Sequence, residues 1–328
     1  MRISGPSPDY LGPTWQARTI FLKKDDGGAP KGRPDVAVLV HESDARELIS
    51  QSGAAALYLP GFVDTFFHVE QAKAWRKVGI PLVGLEFRRT ARALRSVASR
   101  DDIRDIYVRE EEISGALTYI RETLGASKIL LIGHSTGGLQ AALWAGDHSG
   151  TVDAVILNSP WLDHNGPEFE KGLVTRVMDR VGLRFPRLRI STLTPEYAEN
   201  LHRDFGGEWS FNPAHKPLTK IPVHAGFFRT VRRAQQRIAR GDVHIHEPLL
   251  VAHSKESGSF KKPTAEHLLS TDVVLNVEDM KRLATILNPD ATLLEVPGGR
   301  HDLALSEHPA RDIYTRETIA WAVKQLGL

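Results

Sequence analysis

The sequence contains no cysteine. That absence removes disulfide bridges, thiolate nucleophiles and sulfur-ligated metals together. Nor is there an apolar run of the ~18 residues that a membrane span requires. Net charge is small as well: Lys+Arg 42 against Asp+Glu 40 leaves +2. A field that weak does not draw phosphate backbones, so nucleic acid is not expected as a partner. The opening Met1-Arg2-Ile3-Ser4-Gly5-Pro6 lacks the apolar region of a secretory signal, and a cytoplasmic location is expected. What is present is ordinary for a folded chain, with 41% hydrophobic and 25% charged residues. A length of 328 residues suits one large α/β domain with an insertion, or two domains.

Short runs rich in Val, Ile and Leu recur along the chain, at Val36–Val40, Ala54–Leu59, Ile80–Leu85, Lys128–Ile132, Val152–Leu157, Pro248–Val251 and Ala291–Val296. Nearly continuous hydrophobicity over so few residues predicts strands buried on both faces, as in a parallel sheet. Helical patterns lie between them; in Asp105–Leu124, Ile106, Ile113, Leu117 and Ile120 share one face. The alternation predicts a doubly wound, mostly parallel sheet. Trp15–Leu22 alternates differently and is expected to add an antiparallel edge. After Pro160 the regularity breaks, and the chain to about His246 reads as helical and Pro-punctuated, without a buried strand. We therefore expect residues 1–159 and 247–328 to form the core and 160–246 an inserted helical cap. Within that insertion Phe227, Val231, Ala234 and Ile238 share a face, while Arg229, Arg232, Arg233, Arg237 and Arg240 are expected on a solvated one.

The stretch carrying chemistry is Gly133-His134-Ser135-Thr136-Gly137. Gly-x-Ser-x-Gly alone is a weak pattern. Here an aliphatic strand precedes it and a small-residue helix follows. A serine at that junction occupies a strained turn that lifts its hydroxyl above the sheet, beside the positive end of a helix. Such a serine needs a base, and the base a carboxylate to orient it. His301, in Pro297-Gly298-Gly299-Arg300-His301-Asp302 after the last strand, is the candidate base. For the acid, Asp272 stands where the chain re-enters apolar packing ahead of a helix; Glu256, in a polar loop, is the alternative. An oxyanion would be met by the Thr136 amide and by the amide of Phe62 in Pro60-Gly61-Phe62-Val63-Asp64. Phe62, His134 and Trp161 are the candidate substrate contacts. Phe66, Phe67 and His68 are expected to pack behind the nucleophile. Tyr197, His202, Trp209 and Phe211 would form either the cap's inner face or its core. His244 and His246 share a strand face, but with no third ligand at a telling spacing no metal site is expected. No dinucleotide fingerprint or P-loop is present, and no cofactor is expected.

The order Ser135, Asp272, His301 resembles the α/β-hydrolase superfamily, in particular its serine-aminopeptidase-like and monoglyceride-lipase-like branch. The resemblance runs from about Val36 to the C-terminus. It implies an α/β-hydrolase fold, a cofactor-free serine hydrolase, and a lid formed by 160–246 over an acyl pocket. It further implies a carboxylic ester substrate, monoglyceride- or lysophospholipid-like, with amide hydrolysis or a low-turnover receptor role as alternatives. Three departures stand out. Pro60 replaces the family's histidine before Gly61, Asp272 comes after an insertion where the family's acid follows its strand closely, and Glu86-Phe87-Arg88-Arg89-Thr90-Ala91-Arg92 replaces a glycine-rich loop.

Overall fold

The computed structural model describes residues 1–28, 34–164, 168–260 and 262–328. The strands in chain order are β1 (Arg2–Ile3), β2 (Ser7–Asp9), β3 (Gly12–Phe21), β4 (Val36–Glu42), β5 (Ala54–Leu59), β6 (Leu82–Glu86), β7 (Lys128–His134), β8 (Ala154–Asn158), β9 (Arg189–Leu193), β10 (Ile221–His224), β11 (Leu249–Ser254) and β12 (Thr292–Val296). The helices are α1 (Ala45–Ser52), α2 (Val69–Arg76), α3 (Glu110–Thr118), α4 (Thr136–Asp147), α5 (Glu168–Arg184), α6 (Glu196–Leu201), α7 (Ala225–Ala239), α8 (Ala265–Ser270), α9 (Val277–Leu287) and α10 (Ala310–Leu326).

Each of the seven apolar runs is a strand of one sheet, ordered β1-β3-β4-β6-β5-β7-β8-β11-β12, with β2 paired to β3. From β6 through β12 the neighbours are parallel. β4 is antiparallel to both β3 and β6. β3 is thus antiparallel as expected, but it is not the edge, because β1 and β2 pair outside it.

The pleat explains why the runs carry no polar alternation. In β5, Ala55, Leu57 and Leu59 enter the cluster beneath α3, α4, α7 and α9. Ala54, Ala56 and Tyr58 enter the opposite cluster, shared with α2 and α10. A strand covered on both sides has no position for a solvated residue. β12 corrects the expectation: at the sheet's edge, Thr292, Leu293 and Glu295 are exposed. The pattern in Asp105–Leu124 also holds: Ile106, Ile113, Leu117 and Ile120 are buried. The segment is not one uniform helix, since a 3-10 turn leads into α3 and a π-helical turn, Tyr119–Leu124, ends it at Gly125 (φ 89°).

Between β8 and β11 lie α5, α6 and α7, as the helical reading anticipates; residues 165–167 of the expected cap fall outside the described residues. The insertion also holds an antiparallel ribbon of β9 and β10. No residue of that ribbon is buried, so no apolar run announces it. Of the arginines expected on a solvated face, Arg233 and Arg240 are exposed, but two others turn to partners. Arg232 is buried, with Nη1 donating to Asp163 (2.8 Å) and Gln235 (2.6 Å), and Arg237 pairs with Asp147 at 2.7 Å. Among the described residues no helix is long and apolar enough to cross a membrane.

Candidate active site

Ser135 sits between β7 and α4 with φ 54° and ψ −116°, a conformation that L residues adopt only at a cost. Its neighbours must be glycine. A Cβ on Gly137 would lie 2.1 Å from the Leu59 carbonyl oxygen, and one on Gly133 would lie 2.4 Å from that of Gly137. The carbonyl of Ser135 accepts from Leu139 (3.1 Å) and Trp161 (3.0 Å), which ties the turn to the first turn of α4 and to the chain leaving β8.

The loop after β12 delivers His301, and the structure joins it to Asp272 rather than to Glu256. His301 Nδ1 donates to Asp272 Oδ2 at 3.0 Å, and both side chains are buried. The other carboxylate oxygen accepts the Val274 (2.9 Å) and Leu275 (2.8 Å) amides. A carboxylate gripped this way orients the ring and leaves Nε2 as its second nitrogen. Glu256 is exposed and meets Asp272 only through its backbone oxygen, 3.1 Å from the Asp272 amide.

Ser135 and His301 line a common cavity of about 540 Å³, together with Phe62, Thr136, His134 and Trp161. The loop carrying Phe62 approaches closely, because a Cβ on Gly61 would be 3.1 Å from Ser135 Cβ. Phe62 stacks on Phe227 of α7 with ring centroids 4.5 Å apart. Most of the remaining wall is apolar, including Met178, Ile190 and Leu193 from the insertion and Val274 and Leu275 from the loop of Asp272.

Beneath the serine lies a buried polar cluster that the sequence reading missed. Asp302, next to His301, bonds His68 Nε2 (2.9 Å), Asn158 Nδ2 (2.8 Å) and the Ala304 amide (3.1 Å). Its own amide donates to the Tyr197 hydroxyl at 2.9 Å, which ties α6 to the histidine loop. His134 lies between Asp302 and Asp64, with Nδ1 3.4 Å from Asp64 Oδ2 and 3.9 Å from Asp302 Oδ2. Burial alone would raise both carboxyls. The Lys216 ammonium and His134 instead hold Asp64 well below the usual carboxylate range, and His134 and His68 do the same for Asp302. Asp64, His134 and Asp302 bring ligand-type atoms within 4.8 Å of one another. With the Lys216 ammonium 2.6 Å from Asp64, the charge a cation would supply is already in place. The only available signal was adjacency, Asp302 to His301 and Asp64 to Phe62; Lys216 is 152 residues from Asp64 and has none.

Other expectations are redistributed. Phe66 packs on Gly84, Tyr58 and Trp15, not behind the nucleophile. Phe67 joins Leu201, Trp209, Phe211 and Leu305 in a separate cluster, and of the three only His68 belongs to the cluster beneath the serine, through Asp302. Of the four aromatic candidates in the insertion only Tyr197 reaches the cavity. His244 and His246 are both exposed and, contrary to the reading of a strand there, lie in the irregular segment between α7 and β11. The arginine-rich loop after β6 turns away from the cavity: Arg88 pairs with Glu112 (2.6 Å) and Glu111 (3.3 Å), and Arg89 with Asp26 (2.9 Å).

The chain matches the family described as serine aminopeptidase, S33, over residues 95–308, about two-thirds of its length. No curated protein matches significantly. Among solved structures it is similar to a monoacylglycerol lipase of Paleococcus ferrophilus (18% identity, TM-score 0.59, covering 83% of this chain and 94% of that one). It is also similar to a soluble variant of the Saccharomyces cerevisiae monoglyceride lipase (12%, TM-score 0.63, 94% and 96%). A third is a putative aryl esterase of Burkholderia cenocepacia (15%, TM-score 0.54, 90% and 97%). At these identities the neighbours establish the fold, which is that of the α/β-hydrolases. With the family match extending over most of that fold, the chain belongs to the S33 serine aminopeptidase family of α/β-hydrolases and is a hydrolase.

Proposed function

We propose that the protein hydrolyses carboxylic esters through an acyl-enzyme on Ser135. His301 Nε2 accepts the Ser135 proton as Oγ attacks the acyl carbonyl, and Asp272 holds the ring in the required tautomer and stabilises the imidazolium. The Phe62 and Thr136 amides receive the oxyanion. His301 then returns the proton to the leaving alkoxide. Water, deprotonated by the same nitrogen, releases the acid and frees Ser135.

The observation that carries this reading is one cavity lined by both the strained Ser135 turn and His301, whose ring is held by the buried Asp272 carboxylate. The cavity's apolar lining supports an acyl chain rather than a charged group, and residues 160–246 act as the lid that supplies much of it. A monoglyceride-like ester is the first substrate to try, in keeping with the monoacylglycerol and monoglyceride lipases among the structural neighbours. The family's description as a serine aminopeptidase favours amides as the second.

Turnover of p-nitrophenyl butyrate and of a monoacylglycerol, beside an amino-acid p-nitroanilide, tests this. Ester hydrolysis lost by at least about 10³-fold in Ser135→Ala is expected. An unchanged rate in that variant overturns the proposal, and anilide turnover exceeding ester turnover would move the assignment to amides.

A further inference from the structure

Lys216 lies in the insertion, between α6 and β10, and is buried. Its ammonium donates to Asp64 Oδ1 at 2.6 Å, and the same oxygen accepts the Thr65 amide at 2.8 Å. Asp64 ends the turn Gly61-Phe62-Val63, where Val63 holds φ 53°, a value a β-branched residue adopts only under constraint. Oδ2 of the same carboxylate faces His134, the residue before Ser135. One side chain therefore touches three parts at once: the loop carrying the Phe62 amide, the strand carrying the nucleophile, and the insertion. Lys216 and Asp64 both line the cavity.

On the hydrolase reading above, we propose that Lys216 and Asp64 form a positioning pair that holds the Phe62 amide in place for the oxyanion and makes that placement depend on the seated cap. The physical reason is asymmetric. A buried ion pair with both partners present is electrically closed, whereas removing one leaves a charge that the site must expel or neutralise. Without the ammonium, Asp64 faces His134 from β7, Asp302 from the loop after β12 and the Tyr58 hydroxyl from β5; Asp302 keeps its own partner His68, whereas Asp64 is left to His134, which it shares with Asp302. Relaxing the Asp64 side chain loosens the strained turn at Val63, one residue beyond the amide, leaving it to the buried Asp101 carboxyl that accepts the Val63 amide. The insertion itself stays docked, because Arg100 donates to the carbonyls of Ala214 (2.9 Å) and His215 (3.1 Å). The pair thus controls the loop more than the seating of the cap.

The test compares wild type, Lys216→Met, Asp64→Asn and the double variant Asp64→Asn/Lys216→Met. The readouts are kcat and KM for p-nitrophenyl butyrate from pH 5 to 9, and hydrogen–deuterium exchange of residues 60–66. Lys216→Met is expected to lower kcat at least about tenfold at pH 8, with KM within about twofold. It should also add a further ionisation to the acid limb that general-base catalysis by His301 already gives kcat, since the stranded carboxyl now takes up a proton, and should speed exchange in 60–66. The double variant, with no ionisable group left in the pair, is expected to lose that added ionisation and return to the wild-type limb. A Lys216→Met enzyme with wild-type kcat, pH profile or exchange in 60–66 overturns the proposal, as does a thermal midpoint that falls while kcat per folded molecule stays constant. Should Ser135→Ala retain full ester turnover, the hydrolase reading fails separately, and unchanged exchange in 60–66 would still overturn the pairing.

Discussion

Ser135 at φ 54° illustrates how a single residue is made reactive by what its neighbours lack. The missing side chains at 133 and 137 let β7, α4 and the Leu59 carbonyl approach, and the turn persists because that packing over-determines it. Gly137→Ala places a methyl 2.1 Å from backbone that cannot yield. The expected result is loss of ester turnover by about 10²-fold or more, with a lowered thermal midpoint, measured on purified protein. At the same scale, Asp272 and Glu256 make opposite predictions. Asp272→Asn, which can turn its amide toward His301 Nδ1 and favour the wrong tautomer, should cost about 10²–10⁴ in kcat. Glu256→Gln, at an exposed side chain, should change it by less than about twofold. The reverse ranking would remove Asp272 from the site.

His41 links two elements. It ends the buried part of β4, its Nδ1 donates to the Glu42 carbonyl at 2.8 Å, and its Nε2 meets the hydroxyl of Tyr119, at the π turn after α3, at 3.0 Å. Burial pushes its imidazole down to about 4. A folded-state value below the unfolded one of about 6.5 means that the unfolded chain binds the extra proton first. His41 therefore contributes stability that is whole above pH 6.5 and is lost as pH falls from there to 4, up to about 3 kcal/mol. Urea unfolding midpoints measured between pH 4 and 8 should show this decline, and His41→Gln should flatten it. A variant with the wild-type slope would exclude His41 as its source. α7 makes a related point about elements. Its apolar stripe is read correctly, yet its polar side is partly a joint to the loop after β8, through Arg232 to Asp163 and Gln235 to the Trp161 carbonyl (3.0 Å).

Across the whole molecule, the loop after β6 shows charge used as internal structure. Arg88 and Arg89 are among the largest fully buried side chains, and each is ringed by carboxylates from distant segments: Asp26, Asp35, Glu111 and Glu112. Removing one partner of such a network is worse than never having built it. Arg89→Met strands Asp26 and Asp35, and should cost about 3–5 kcal/mol in denaturant unfolding. Since Arg89 does not line the cavity, kcat per folded molecule should change by less than about twofold. A loss of activity without loss of stability would contradict this structural role.

Strands, the burial on both faces of all but edge strand β12, the serine turn and the late histidine loop were legible from order along the chain, because each is a local pattern: a run of apolar residues, glycines flanking a serine, a histidine after the last strand. The ribbon of β9 and β10 was not, since exposed strands need no apolar run, nor was the inward turn of Arg88, Arg89 and Arg232. Asp302 and Asp64 were marked only by adjacency to other site residues, and Lys216 by nothing. A carboxylate or an ammonium reads the same in sequence whether solvated or buried, and only the packing of segments 152 and 234 residues apart decides which charges meet. Local periodicity thus determined the elements and their sequence of roles, while the tertiary structure alone decided how buried charges are partnered.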